Sequence, residues 1–130
     1  SPEFMLVVSY NPGYQSLLKG MKPSTRQRFI SMRFNYPDKE TETGIIQQET
    51  GIDTTIALQL IELAHALRVL KDHDLEESAS TRLLVYAATL IKSGFDPIEA
   101  CRAAIIEPLS DDEETVNALM EVVSAKMVVT

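Results

Sequence analysis

Along the chain, the spacing of apolar positions changes character once. In the first third, Leu6-Val7-Val8 is an unbroken apolar run, and from Phe29 to Tyr36 the pattern alternates, with Ile30, Met32, Phe34 and Tyr36 on one face and Ser31, Arg33 and Asn35 on the other. A period of two reads as a strand, and a short continuous apolar run as a strand inside a parallel sheet. Two strands are therefore expected here. Between them Asn11-Pro12-Gly13-Tyr14 signals a turn, and Tyr14 to Lys19 has room for about one helical turn before Gly20.

From Pro37 onward the period lengthens to that of helices, and five are expected. The first runs from Asp38 to Thr50, with Ile45 and Ile46 facing inward and Gly51 as its stop. The second follows Asp53 and carries Ile56, Leu60, Leu63, Ala64, Leu67 and Leu70 at spacings of three and four. A third, from Ser78 to Gly94, places Leu83, Leu84, Ala87, Leu90 and Ile91 on one side. The fourth opens on Asp96-Pro97-Ile98-Glu99, an acid at the cap, proline at the first helical position and a glutamate beyond, with Pro108 expected to close it. The fifth opens on Ser110-Asp111-Asp112-Glu113, a capping residue with acids in the first turn that suit the positive end of a helix dipole, and buries Val116, Leu119, Met120, Val123 and Met127. The expected class is mainly α: a five-helix bundle preceded by two strands, without internal repeats.

Composition narrows the function. Hydrophobic residues make up 45% and charged residues 24%, enough apolar matter for a core in 130 residues. Ser1-Pro2-Glu3-Phe4 reads as an expression-vector scar, so the domains expected are that scar (1–4), a strand-bearing segment (5–37) and a helical subdomain (38–130). A formal charge of -7 sets net repulsion against nucleic-acid phosphates. The fourth helix has Arg102 as its one base between Glu99 and Glu107, a poor groove reader. No apolar run of membrane-spanning length and no leader stand out, which points to a cytoplasmic protein without a membrane role. A single cysteine, Cys101, and two histidines, His65 and His73, leave no zinc-type ligand set and no internal disulfide. Cys101 shares a stripe with Ala104 and Ile105 and reads as a small core residue.

Three positions carry candidate chemistry. Asn11 follows an apolar strand, where an open α/β sheet binds ligands, and its amide can orient a water or a phosphate oxygen; equally, it can simply form an Asx turn before Pro12. Arg26 and Arg28, just before the second strand, can offer a guanidinium to a phosphate or remain solvated surface arginines. Arg82 sits in the first turn of the third helix, where the dipole disfavours a cation. An anion bound there would meet both the helix N–H groups and the guanidinium; otherwise solvent screens the arginine at a cost of a few tenths of a kcal/mol.

The strings Leu6-Val7-Val8-Ser9-Tyr10-Asn11-Pro12-Gly13-Tyr14-Gln15, Lys22-Pro23-Ser24-Thr25-Arg26-Gln27-Arg28-Phe29 and Ser78-Ala79-Ser80-Thr81-Arg82 together resemble the CbbQ/NirQ/NorQ family of MoxR-type AAA+ ATPases, and the likeness spans almost the whole chain. The resemblance implies an AAA+ helical lid preceded by the end of an α/β subdomain, and roles for the three positions. Asn11 would be the sensor-1 residue placing the attacking water, and Arg28 the arginine finger offered to a neighbouring subunit's ATP, with Arg26 the lesser choice for that role. Arg82 would be the sensor-2 arginine on the nucleotide of its own subunit. Phosphoryl transfer needs such positioning and charge neutralisation.

The sequence has no Gly-x-x-x-x-Gly-Lys-[Ser/Thr] loop and no acidic strand end, so the phosphate cradle and magnesium ligand are not within it. ATP and magnesium are accordingly expected to be cofactors of an intact parent, with the missing motifs upstream, and this piece alone is expected to be inactive. Without its usual sheet neighbours, the segment before residue 37 is expected to be mobile, repacked on the helices or paired with another copy. The family also implies a homo-oligomeric ring, a hexamer, a partner bearing a von Willebrand factor A domain, and a client enzyme of Rubisco or nitric-oxide/nitrite reductase type. The competing reading is a stand-alone helical interaction module with no nucleotide role.

Overall fold

The computed structural model describes residues 3–9, 22–74 and 78–128, the side chains of 71–74 excepted. Asn11, the turn expected at 11–14 and the helical turn expected at 14–19 lie outside these. The chain divides into two compact units, Ser1–Phe34 and Asn35–Thr130.

In the first unit the described residues form one short helix, α1 (Pro23–Arg26), with proline at its start, and none of its residues is buried. Neither expected strand forms: 4–9 and 30–34 carry no regular structure, nor do Asn35 and Tyr36 beyond the unit's end. The reason is pairing. An alternating segment becomes a strand when its N–H and C=O groups meet a neighbouring chain, and among the described residues none lies alongside. The apolar face that periodicity revealed is instead exposed, Ile30 at 95% and Phe34 at 84%.

Among its described residues the regular structure of the second unit is helical: α2 (Lys39–Thr50), α3 (Thr54–Asp74), α4 (Thr81–Lys92), α5 (Pro97–Cys101), a π-helical turn (Arg102–Ile106), α6 (Glu107–Leu109) and α7 (Glu113–Lys126). The mainly α class read from the sequence holds. Side-chain caps fix the starts. Asp38 accepts from the Thr41 N–H at 2.7 Å, Asp96 from Ile98 and Glu99, and Asp112 from Thr115 at 2.9 Å. The third expected helix starts at Ser80 rather than Ser78, since it is the Ser80 hydroxyl that accepts the Leu83 N–H. Gly51 ends α2 at φ 71°, the left-handed region that glycine enters without strain.

One boundary departs from expectation. Pro108 does not close the fourth helix, which continues through it to Leu109. Proline has no N–H and its ring crowds the carbonyl one turn back. The π turn just before it, in which the Glu107 N–H bonds five residues back to the Arg102 carbonyl, widens the helix at that point and lets the chain pass.

Helix α3 is the spine, packing against α2, α4 and α7, while α4 reaches on to α5 and the π turn. The core runs from Ile46 through Leu60, Ile61, Leu63, Leu67 and Leu84 to Ile105, Ile106, Val123 and Met127, all essentially without solvent contact. The predicted stripes of α3, α4 and α7 supply most of it. Cys101 lies within this core; burial, with a smaller contribution from the Asp96 charge, pushes its thiol up to about 12, so it is a packed apolar group rather than a reactive one. No helix among the described residues is long and apolar enough to cross a membrane.

Candidate functional site

The start of α4 is where sequence and structure converge. Arg82 is the second residue of the helix, exposed, and makes no ion pair among the described residues. The first turn of α4 contains no acid, unlike those of α2, α5 and α7. Ser80 takes up the Leu83 N–H at 3.4 Å, but a helix start leaves further N–H groups without partners inside the helix. An exposed guanidinium beside them can hold a phosphate oxygen, because the dipole and the cation then act on the same anion. Residues of this kind fit a nucleotide's phosphates. Among the described residues no group of three His, Cys, Asp or Glu side chains stands together.

Beneath that turn lies a polar cluster that the sequence did not announce. Glu42, in the first turn of α2, is fully buried. Arg68 of α3 grips it with two parallel bonds, Nη1 to Oε1 at 2.9 Å and Nη2 to Oε2 at 2.6 Å. The Thr81 hydroxyl donates to the same Oε2 at 2.7 Å, and the Arg68 Nε donates to the Ala79 carbonyl at 2.9 Å. The ring of Tyr36 covers the guanidinium at 3.8 Å. Burial pushes the Glu42 carboxyl up, but the hydrogen bonds from Arg68 and Thr81 and the Arg68 charge outweigh it and hold its pKa below the usual value. Glu42 is thus a buried carboxylate with both oxygens satisfied.

A signal for this cluster existed. Glu42 lies four residues before the buried Ile46, and Arg68 lies four after Ala64 and seven after Ile61, so each charge sits on an apolar stripe. Charges there almost always have partners. Periodicity alone does not say which.

Arg28 lies in the other unit, exposed in the turn after α1, its N–H bonded to the Thr25 carbonyl at 3.1 Å. Arg26, in the last turn of α1, lines a shallow hollow of about 340 Å³ with Pro23, Gln27 and Ser31, a hollow that Arg28 does not line. His65 is exposed.

Comparison with known proteins identifies the setting. The family model for the C-terminal region of CbbQ/NirQ/NorQ proteins matches residues 42–126, a span that begins at the buried glutamate and contains Arg68, Thr81 and Arg82. The chain is 62% identical over 122 residues to the denitrification regulatory protein NirQ of Pseudomonas aeruginosa, covering 94% of this chain and 47% of that protein. It is 50% identical over 125 residues to protein NorQ of Paracoccus denitrificans, covering 96% and 46%. To protein CbbQ of Hydrogenophilus thermoluteolus it is 50% identical over 118 residues, covering 91% and 44%. The chain therefore spans a little under half the length of these curated relatives. With the family's C-terminal model matched from Glu42 to Lys126, this chain belongs to the CbbQ/NirQ/NorQ family of MoxR-type AAA+ ATPases.

Proposed function

We propose that this chain is the nucleotide-sensing lid, with part of the adjoining subdomain, of an AAA+ ATPase that remodels or activates a partner enzyme. The observation that carries this reading is Arg82: an exposed guanidinium with no ion pair among the described residues, at an acid-free helix start inside the segment that matches the family. Arg82 contacts the phosphates of ATP bound to its own subunit. Arg28 serves as the arginine finger for the neighbouring subunit, and Asn11 as the sensor-1 amide that orients the attacking water. ATP with magnesium supplies the phosphoryl group and the counter-charge. This chain's own residues bind, orient and neutralise, which is most of what phosphoryl transfer asks of a protein. The phosphate cradle and the magnesium ligand belong to the rest of the intact protein, and this piece alone does not turn over ATP.

The intact protein works as a homo-oligomeric ring, a hexamer, in the cytoplasm. Three relatives bear on its client: the first is named for denitrification regulation, and the others are a NorQ and a CbbQ. A nitrite or nitric-oxide reductase system or Rubisco is the class of client we assign, with a von Willebrand factor A domain protein as adaptor.

The test is ATP turnover by the full-length protein. Arg28→Ala is expected to lower kcat by about a thousandfold, the loss typical of an arginine finger. Arg82→Ala is expected to weaken ATP use by roughly tenfold, the worth of one charge-assisted contact. Unchanged turnover in both variants would leave a helical interaction module without a nucleotide role.

A further inference from the structure

Buried ion pairs add little net stability compared with apolar packing of the same shape, so their presence asks for another reason. The pair here is well built: Arg68 is 10% exposed and Glu42 not at all. It also has a specific address. Besides each other, the two side chains bond to Ala79 and Thr81, the residues three and one before Arg82. The pair itself joins α2 to α3, while the Thr81 hydroxyl bonds Glu42 of α2 and the Ala79 carbonyl accepts from Arg68 of α3, so the start of α4 is held from two neighbouring helices. Tyr36 lies over the guanidinium and keeps water from that face.

We infer that Glu42, Arg68 and Thr81 are positioning residues for Arg82. They set the place and angle of the first turn of α4, so that the exposed guanidinium meets a nucleotide phosphate without searching for it. The Thr81 hydroxyl is the last link, one bond from the carboxylate and one residue from the arginine. The clamp is charged rather than apolar because a bidentate carboxylate–guanidinium pair fixes direction as well as distance, which interchangeable apolar side chains do not. Displacement of a contact by about 1 Å can cost up to a hundredfold in rate, so the orientation of this turn is worth specifying.

The inference rests on the phosphate-contact reading of Arg82, and the experiment separates the two. In the full-length protein, ATP turnover and melting temperature are measured for Thr81→Val, Thr81→Ser, Arg82→Ala and the Thr81→Val/Arg82→Ala double variant. Valine keeps the shape of threonine and leaves the Glu42–Arg68 pair intact. Thr81→Val is expected to raise KM for ATP by about fivefold, Thr81→Ser to restore it, and Thr81→Val to add nothing once Arg82 is gone. If Arg82→Ala impairs ATP use while Thr81→Val shifts only the melting temperature, or if the two effects simply add, the clamp is structural and the inference is wrong although the site stands. If Arg82→Ala changes nothing, there is no contact to position and both fall. Should Thr81→Val fail to fold, Arg68→Lys, which keeps the charge but loses the Nε bond to Ala79, is read against the same outcomes.

Discussion

At the scale of single residues, Glu42 is the most consequential side chain described. Removing its charge leaves the Arg68 guanidinium buried without its partner, so Glu42→Gln is expected to destabilise the fold by roughly 3 kcal/mol in urea denaturation near neutral pH. The same group gives the protein a pH dependence of known sign. Its pKa in the folded chain lies below the ordinary 4.5, held there by Arg68 and Thr81 against the opposing effect of burial. A depressed carboxyl contributes in full above its unfolded value and loses that contribution as pH falls through the folded one. Stability should therefore drop as pH falls from about 4.5, and Glu42→Gln should flatten that part of the profile. An equally steep acid limb in the variant would assign the effect to other carboxylates, among them Asp38 and Asp112, whose cap bonds to Thr41 and Thr115 hold them low as well.

Helix ends were the most legible features, because a cap is a local event. Asp38, Asp96 and Asp112 each lie within three residues of the N–H they accept, and the sequence placed all three at or beside a helix start. Gly51 was legible for a related reason: its left-handed backbone is a demand that few other residues meet. Gly51→Ala would place a Cβ in ordinary contact with Lys92, 3.9 Å away, so its cost comes from the backbone alone. A loss of about 1 kcal/mol is expected, similar to that of Asp112→Ala at the start of α7. Thermal melts of the two variants check this; no loss at Gly51 would mean that the turn relaxes to a negative φ. Pro108 was misread at this same scale. A proline predicts a helix end only when the turn before it keeps its ordinary width, and the π turn at Arg102–Ile106 removes that condition.

For the molecule as a whole, the division into Ser1–Phe34 and Asn35–Thr130 has a thermodynamic counterpart. Among the described residues the hydrophobic core is drawn from Ile46 to Met127, and no described residue of the first unit is buried. A chain trimmed to 35–130 is therefore expected to keep a cooperative thermal transition and undiminished helical circular dichroism per helical residue, because it keeps every core residue and the Tyr36 cover on Arg68. A broad, non-cooperative melt would show that the first unit contributes stability that its exposure conceals.

What the sequence determined by itself was whatever depends on neighbours along the chain: the period of the apolar stripes on α3, α4 and α7, the caps, the glycine stop and the motif strings that place the chain among its relatives. Tertiary structure decided what depends on neighbours in space. The alternating segment from Phe29 to Tyr36 has the right pattern for a strand, but a strand is completed by a second chain segment, and none is present among the described residues. Glu42 and Arg68 are 26 residues apart, and although each sits on an apolar stripe, periodicity does not name its partner. They become a clamp beneath Arg82 because the packing of α2, α3 and α4 removes both from water and leaves each as the partner that makes the other's burial tolerable.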